Sequence, residues 1–261
     1  MNDAAGAPSS NPATTGVLLV TGASRGIGAA TALLAARRGY AVAVNYRHDE
    51  HSATAVIRRI EADGGKAIAI RADVAREGDV LAMFDACAER LGHITGLVNN
   101  AGILEQQAPF ADMDIGRIRR VFETNVIGTM LCAREAVRRM ATSRGGSGGA
   151  IVNVSSAAAR LGSPHEYVDY AASKGAIDTL TLGLAKEVAS EGIRVNAVRP
   201  GFIETGMHAS GGEPGRIDRI KGSIPLRRGG QPEEVAEAIL WLLSAASSYS
   251  TGTFFDVCGG R

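Results

Sequence analysis

The stretch Val17-Leu18-Leu19-Val20-Thr21-Gly22-Ala23-Ser24-Arg25-Gly26-Ile27-Gly28 decides the fold of this chain. An apolar run of strand length passes directly into a glycine-rich turn, and a helical pattern from Gly26 to Arg38 follows. Glycine permits the tight turn and lets backbone N–H groups approach a phosphate, while the start of the helix adds partial positive charge. The spacing is Gly-x-x-x-Gly-x-Gly rather than the commoner Gly-x-Gly-x-x-Gly, so the strand before it and the helix after it carry the argument. Together they predict a dinucleotide cradle made by Gly22, Ser24, Arg25, Gly26, Ile27 and Gly28.

Outward from that cradle, short apolar runs read as strands at Val17 to Thr21, Ala41 to Tyr46, Ala67 to Arg71, Gly96 to Asn99, Ala150 to Val154, Arg194 to Val198 and Thr253 to Val257. Most are continuously apolar, as strands buried on both faces are. Helical patterns lie between them, at Ser52 to Ala62, Glu77 to Leu91 and Asp112 to Met140 among others. This alternation predicts an α/β fold: a single doubly wound Rossmann domain over residues 16–261, with a seven-stranded parallel sheet and helices on both faces. Residues 1–15, rich in Ala, Ser, Pro, Asn and Thr, are expected to be a disordered tail. The Gly-rich run 143–149 reads as a turn into the fifth strand, and 206–228 as either a mobile substrate loop or an inert surface loop.

Composition removes several classes of partner. The 261 residues are 45% hydrophobic, enough for a sizeable core, and 28 basic against 27 acidic residues leave no basic field for nucleic acid or an anionic membrane. Aromatics at 5% do not supply a stacking surface for RNA. No apolar run is long enough to span a bilayer and no secretory signal is present, so a cytoplasmic protein acting on a small molecule is expected. Cys87, Cys132 and Cys258 are widely spaced and read as reduced packing residues. His48 and His51 stand in a polar stretch without a cysteine ligand nearby, and no metal is expected.

The second strand ends in Val44-Asn45-Tyr46-Arg47. An NAD-binding fold usually puts an acid there to hold the ribose 2′-hydroxyl. Here Tyr46 and Arg47 stand at the expected adenosine side without one, and Arg25 and Arg47 offer guanidinium groups to a 2′-phosphate, which favours NADP. Alternatively both arginines are solvated surface charges. Asp73 and Val74, closing the third strand, fit the adenine edge, or Asp73 caps the next helix. Tyr170 and Lys174 lie four apart on one helical face, so the ammonium is expected to lower the phenol from its usual pKa of about 10 toward the working range of a general acid/base.

Six ordered motifs give the sequence a strong resemblance to the short-chain dehydrogenase/reductase family. They are Thr21-Gly22-x-x-x-Gly26-x-Gly28, Asn99-Asn100-Ala101-Gly102, Asn125, Ser155-Ser156, Tyr170-x-x-x-Lys174 and Pro200-Gly201, and they run from Thr21 to Gly260. The resemblance implies a catalytic tetrad of Asn125, Ser156, Tyr170 and Lys174. Tyr170 would move the proton, Lys174 would also hold the nicotinamide ribose, Ser156 would steady the substrate oxygen, and Asn125 would bend its helix and position a water. It implies further cofactor contacts at Asn99, Ala101 and Gly102, and at Pro200, Gly201, Ile203 and Thr205 near the carboxamide. Of the adjacent serines, which point opposite ways on an extended segment, Ser156 matches the family's serine.

The implied activity is NADP(H)-dependent interconversion of a carbonyl and a secondary alcohol, as in bacterial sugar dehydrogenases or 3-oxoacyl carrier-protein reductases. The alternative is a non-catalytic dinucleotide-sensing or scaffold protein. Candidate pocket residues are Ala157, His165, Glu166, Tyr167, Phe202 and the 206–228 loop. A homotetramer is the family expectation. Val126, Met130, Ala133 and Val137 repeat at helical spacing and suit either a subunit contact or the internal core.

Overall fold

The structure is a computed structural model and describes residues 15–261. The tail expected at residues 1–15 lies outside the described residues except for Thr15, which is tied down by bonds from its N–H to the Gly39 carbonyl at 2.9 Å and from its hydroxyl to the Arg38 carbonyl at 2.9 Å.

Seven strands, β1 (Gly16–Val20), β2 (Tyr40–Tyr46), β3 (Ala67–Arg71), β4 (Ile94–Asn99), β5 (Gly149–Val154), β6 (Ile193–Pro200) and β7 (Phe254–Val257), form one sheet in the order β3-β2-β1-β4-β5-β6-β7. Every neighbouring pair is parallel. The major helices are α1 (Gly26–Arg37), α2 (Glu50–Ala62), α3 (Glu77–Leu91), α4 (Ile115–Phe122) and α5 (Gly128–Met140). They are followed by α6 (Ala158–Leu161), α7 (Val168–Val188), α8 (Met207–Ser210), α9 (Arg216–Ile220) and α10 (Pro232–Leu243).

The strict two-residue alternation of a strand explains how such apolar segments serve two cores at once. Leu18 and Val20 of β1 join Val42, Val44, Val98 and Val152 against α1, α2 and α10. Leu19 joins Ala43, Leu97, Ile151 and Val195 on the opposite face, where Met83 and Phe84 of α3, Cys132 and Met140 of α5, and Val188 of α7 cover it. Each fully buried Leu, Ile, Val or Phe contributes about 1.5–3 kcal/mol, an upper figure because the unfolded chain is already partly collapsed. Strand order reverses between β1 and β4, which leaves a crevice at their carboxyl ends.

The single helix expected from Asp112 to Met140 is instead α4, a π-helical turn at Glu123–Ile127, and α5. Asp114 starts α4 late because its carboxylate caps the Arg117 N–H at 2.9 Å. The widened turn carries Asn125 at zero exposure and breaks the i to i+4 ladder there. The apolar stripe divides in the same way: Val126 and Ala133 are buried, whereas Met130 is 40% exposed.

A buried polar chain links the sheet to α7. Asn99 donates to the Asn153 carbonyl oxygen at 2.9 Å, Asn153 donates to the Thr181 hydroxyl at 2.9 Å, and Thr181 donates to the Ile177 carbonyl at 2.8 Å. Thr181→Val keeps the shape but strands the Asn153 amide, so a loss of about 1–3 kcal/mol of stability is expected in urea denaturation, with NADPH affinity unaltered. An unchanged denaturation midpoint would show that this chain of bonds does not stabilise the sheet.

Candidate active site

At the crevice the sequence builds a cleft of about 430 Å³, running from Arg47, His48 and Asp73 past Gly22 and Ala101 to Thr205. Gly22 has φ +61°, and a Cβ there would meet Ala101 Cα at 2.9 Å, so the turn needs glycine twice over. At Gly28 a Cβ would collide with the Gly22 carbonyl oxygen at 2.6 Å and the Asn100 amide at 2.5 Å. Arg25 caps α1 with no side-chain bond, and no acidic residue occupies the helix's first turn. Its free N–H groups and positive end therefore face the cleft without an internal anion, which fits a pyrophosphate.

Two asparagines hold this cradle. Asn100 donates to the Thr21 and Gly22 carbonyls, both at 2.9 Å, and the Thr21 hydroxyl accepts the Asn100 and Ala101 N–H groups at 3.0 Å each. Asn45, 2% exposed, accepts the Gly22 N–H at 3.1 Å and donates to the Ala72 carbonyl at 3.1 Å. Neither was marked out in the sequence as a site residue. The motif Asn99-Asn100 contained the signal: alternation sends one amide into the sheet and the next toward the turn. Asn99 is the one turned inward, at 3% exposure, and does not border the cleft.

At the end of the cleft beside β2 and β3, Arg25, Tyr46, Arg47, Asp73 and Val74 all line it. Arg47 pairs with Asp73 at 3.1 Å, and Asp73 also accepts the Ala75 N–H at 3.1 Å. Asp73 thus faces the cleft and closes the turn at Ala75, but it does not cap the next helix, since Arg76 stands at the N-cap of α3. Arg25 adds its charge beside Asp49, whose carboxyl is held low mainly by hydrogen bonds from Ser52.

None of the four expected catalytic residues borders this cleft; Asn125 and Lys174 lie behind its other end at Gly102, where a Cβ would lie 3.4 Å from Asn125 Oδ1 and 3.7 Å from Lys174 Nζ. Asn125 brackets Ile103, accepting its N–H at 2.8 Å and donating to its carbonyl at 3.1 Å, and donates to Ser173 Oγ at 3.1 Å. Ser155 turns inward and donates to Asp178 Oδ1 at 2.6 Å, leaving Ser156 on the Tyr170 side. Lys174 is 4% exposed, and its Nζ donates to the Val154 carbonyl at 2.7 Å and stands 5.6 Å from the Tyr170 ring centre.

These surroundings correct the expected electrostatics. Crowding around the phenol pushes Tyr170 up to about 12, and the neighbouring Ser156 hydroxyl, not Lys174, acts in the opposite direction. Burial pulls Lys174 down to about 8, partly offset by Asp178. The ammonium is directed at a β5 carbonyl, so desolvation governs both groups.

Of Pro200, Gly201, Ile203 and Thr205, the four positions expected near the carboxamide, only Thr205 borders the cleft, followed by Gly206, Met207 and Ser210. The Pro200 carbonyl accepts the Ala157 N–H at 2.9 Å, the Gly201 N–H bonds the Val257 carbonyl at 2.9 Å, and Ile203 is buried beneath Gly230. The 206–228 segment is more than a loop. It carries α8 and α9 and is pinned across the cleft wall: Gln107 donates to Glu213 at 2.6 Å, the Tyr167 hydroxyl donates to the Gly211 carbonyl at 3.0 Å, and Arg219 pairs with Glu166 at 3.2 Å. Arg216 lies over the Tyr167 ring at 4.8 Å. Of the expected pocket residues, Ala157 and Tyr167 are buried, His165 is exposed, and Glu166 holds this lid.

Residues 22–261 match the family described as Enoyl-(Acyl carrier protein) reductase. The chain is 62% identical over 245 residues to the Uncharacterized oxidoreductase YgfF of Escherichia coli (strain K12), a match covering 94% of this chain and 99% of that one. It is similar to the solved structure of a short chain dehydrogenase from Burkholderia cenocepacia J2315 in complex with NADP, at 33% identity, TM-score 0.87, and 96% and 99% coverage. It is also similar to 3-ketoacyl-(acyl-carrier-protein) reductase from Brucella melitensis complexed with NADH, at 31% identity, TM-score 0.86, and 95% and 98% coverage.

The lowered Lys174 has a consequence for stability. Between about 8 and its ordinary 10.5 the unfolded chain holds a proton that the folded lysine releases, so this group's contribution to stability rises with pH across that window and is least favourable below it. Lys174→Met is expected to melt above the parent at pH 7, with the advantage shrinking as pH climbs through the window. A variant that melts below the parent by the same margin throughout would mean that the buried ammonium carries no desolvation cost.

Proposed function

Because this chain belongs to the short-chain dehydrogenase/reductase family, oxidoreductases that act on CH–OH groups, we propose that it is an NADP(H)-dependent enzyme interconverting a carbonyl and a secondary alcohol, with Asn125, Ser156, Tyr170 and Lys174 as its catalytic residues. The observation that carries this reading is one cleft that joins a glycine-rich turn, with Arg25 and Arg47 beside it and no acid at Asn45 or Tyr46 where β2 ends, to Gly102, behind which Lys174 Nζ lies. A nicotinamide dinucleotide, when bound, supplies or accepts the hydride.

The residues divide the remaining work. A phenol pushed up to about 12 holds its proton at neutral pH, which suits Tyr170 to giving that proton to a carbonyl oxygen. The Ser156 hydroxyl donates to the same oxygen as negative charge develops on it. Lys174 takes the nicotinamide ribose through its ammonium, and Asn125, locked on Ile103 and Ser173, keeps Ile103 in place in the cleft wall. Gly22, Ser24, Gly26, Ile27 and Gly28 hold the pyrophosphate. Tyr46, Asp73, Val74 and Ala101 flank the adenosine half and Thr205 the nicotinamide half, and Arg25 and Arg47 take the 2′-phosphate, with Asp73 releasing Arg47 to it.

The test is NADPH oxidation against ketones, oxidised sugars and acetoacetyl thioesters, with NADH in parallel. Tyr170→Phe is expected to lower kcat by roughly 10²- to 10⁴-fold. Arg47→Ala and Arg25→Ala should each raise the NADPH Kd roughly tenfold to hundredfold, as loss of one charge-assisted bond does, while leaving the NADH Kd nearly unchanged. Equal losses for both cofactors would mean that these arginines do not recognise the phosphate.

A further inference from the structure

Tyr170 lies in the first turn of α7, where backbone N–H groups have no helical carbonyl to bond. Asp169 fills that gap, its Oδ1 accepting the Tyr170 N–H at 2.9 Å. The carboxylate is only 3% exposed, a costly position for an unpaired charge. Arg117, on α4 and 6% exposed, meets it with both prongs of a fork: Nε donates to Oδ2 at 2.7 Å and Nη2 donates to Oδ1 at 3.2 Å. The remaining nitrogen, Nη1, donates to the Gln106 carbonyl. Gln106 follows directly on Ile103 and Leu104, which line the cleft wall; Asn125 holds this stretch at Ile103 and Glu213 of the 206–228 segment meets it at Gln107. One buried guanidinium therefore binds both the residue beside Tyr170 and the wall opposite the lid.

A buried ion pair contributes little net stability, because desolvation offsets its attraction, but a bidentate fork fixes relative orientation. We propose that Arg117 and Asp169 are the positioning pair for Tyr170, a buried fork that sets the start of α7 and the Gln106 wall in a single register. This rests on the reading of Tyr170 as the proton-transfer residue. Neither side chain touches the reacting atoms; the pair acts through the Tyr170 backbone and the wall. Proton transfer needs its donor within hydrogen-bond reach and aligned, and displacements of about 1 Å cost up to roughly 100-fold in rate.

The double variant Arg117→Met/Asp169→Asn removes both charges without stranding either. With the fastest-reduced member of the substrate panel, its kcat is expected to fall roughly 10- to 100-fold, while NADPH Kd and binding stoichiometry, read by fluorescence titration, stay at the parental values. Arg117→Lys retains the charge but not the fork and should remain well below parental kcat with cofactor binding intact. It carries the test alone should the double variant not fold. Parental kcat in either variant overturns the proposal, as does a loss of kcat explained wholly by a reduced NADPH-binding fraction. Tyr170→Phe is run beside them. If it turns over at the parental rate, the reading beneath the proposal has failed and the proposal falls with it. If it is inactive while the charge variants are parental, the positioning role alone is wrong.

Discussion

The approach of Gly22 to Ala101, so close that a Cβ would come within 2.9 Å of Ala101 Cα, is the contact on which the cleft depends. It exists because β1 and β4 end side by side and their chains then leave toward opposite faces of the sheet. Thr21 stitches the two ends with one hydroxyl, accepting from Asn100 and Ala101, and Asn100 returns two bonds to the Thr21 and Gly22 carbonyls. These bonds satisfy backbone groups that a glycine-rich turn would otherwise leave to water, and they aim the N-terminus of α1 into the cleft. From Ala101 the chain continues through Gly102 to Ile103, so the same stitch also sets the distance between the phosphate cradle and Lys174.

Much of this could be read from the sequence because it is local. Continuous runs such as Val17 to Val20 and Ala150 to Val154 bury both faces wherever they sit, and their order with the helices leaves little choice of topology. Terminal residues differed by one or two positions, as at Gly16 and Ile94, where ladder pairing extends a strand beyond its apolar run. The division of the 112–140 helix was legible only as the bend at Asn125 that the family resemblance implies. Its apolar spacing continues across the π turn, and the break depends on Asn125 bonding Ile103, which is distant in sequence. The lid was obscure for a related reason. Its polar, glycine-rich composition reads as coil, but Arg216 and Arg219 find Glu166, and Glu213 finds Gln107, only after the chain has folded.

The site residues divide along the same line. Ser156, Tyr170 and Lys174 are recognisable by type and spacing because their chemistry resides in the side chain. Asn99, Pro200, Gly201 and Ile203 are recognisable in the same motifs yet stand behind the cleft, where they bond backbone or neighbouring amides. A motif marks residues that a geometry requires, without separating those that line a cavity from those that hold the lining still.

The first half of α7 concentrates buried charge, with Asp169 and Lys174 both under 5% exposed. Each is answered differently: Asp169 by the fork of Arg117, Lys174 by a single carbonyl bond to Val154, with Asp178 one turn further on given over to Arg199 at 2.8 Å. Asp169 is thus neutralised by a full countercharge, whereas Lys174 is desolvated without one of its own, and its affinity for a proton falls to about 8. A group held in that state gains more from any negative charge that appears beside it than a solvated ammonium would, because the low-dielectric surroundings strengthen the attraction. In the proposed reaction phenolate on Tyr170 would be such a charge, but in the resting site Lys174 Nζ is turned to the Val154 carbonyl and stands 5.6 Å from the phenol ring centre. The desolvation that depresses Lys174 is thus a cost to the stability of the fold, in contrast to Asp169, whose charge is met by a guanidinium at bonding distance.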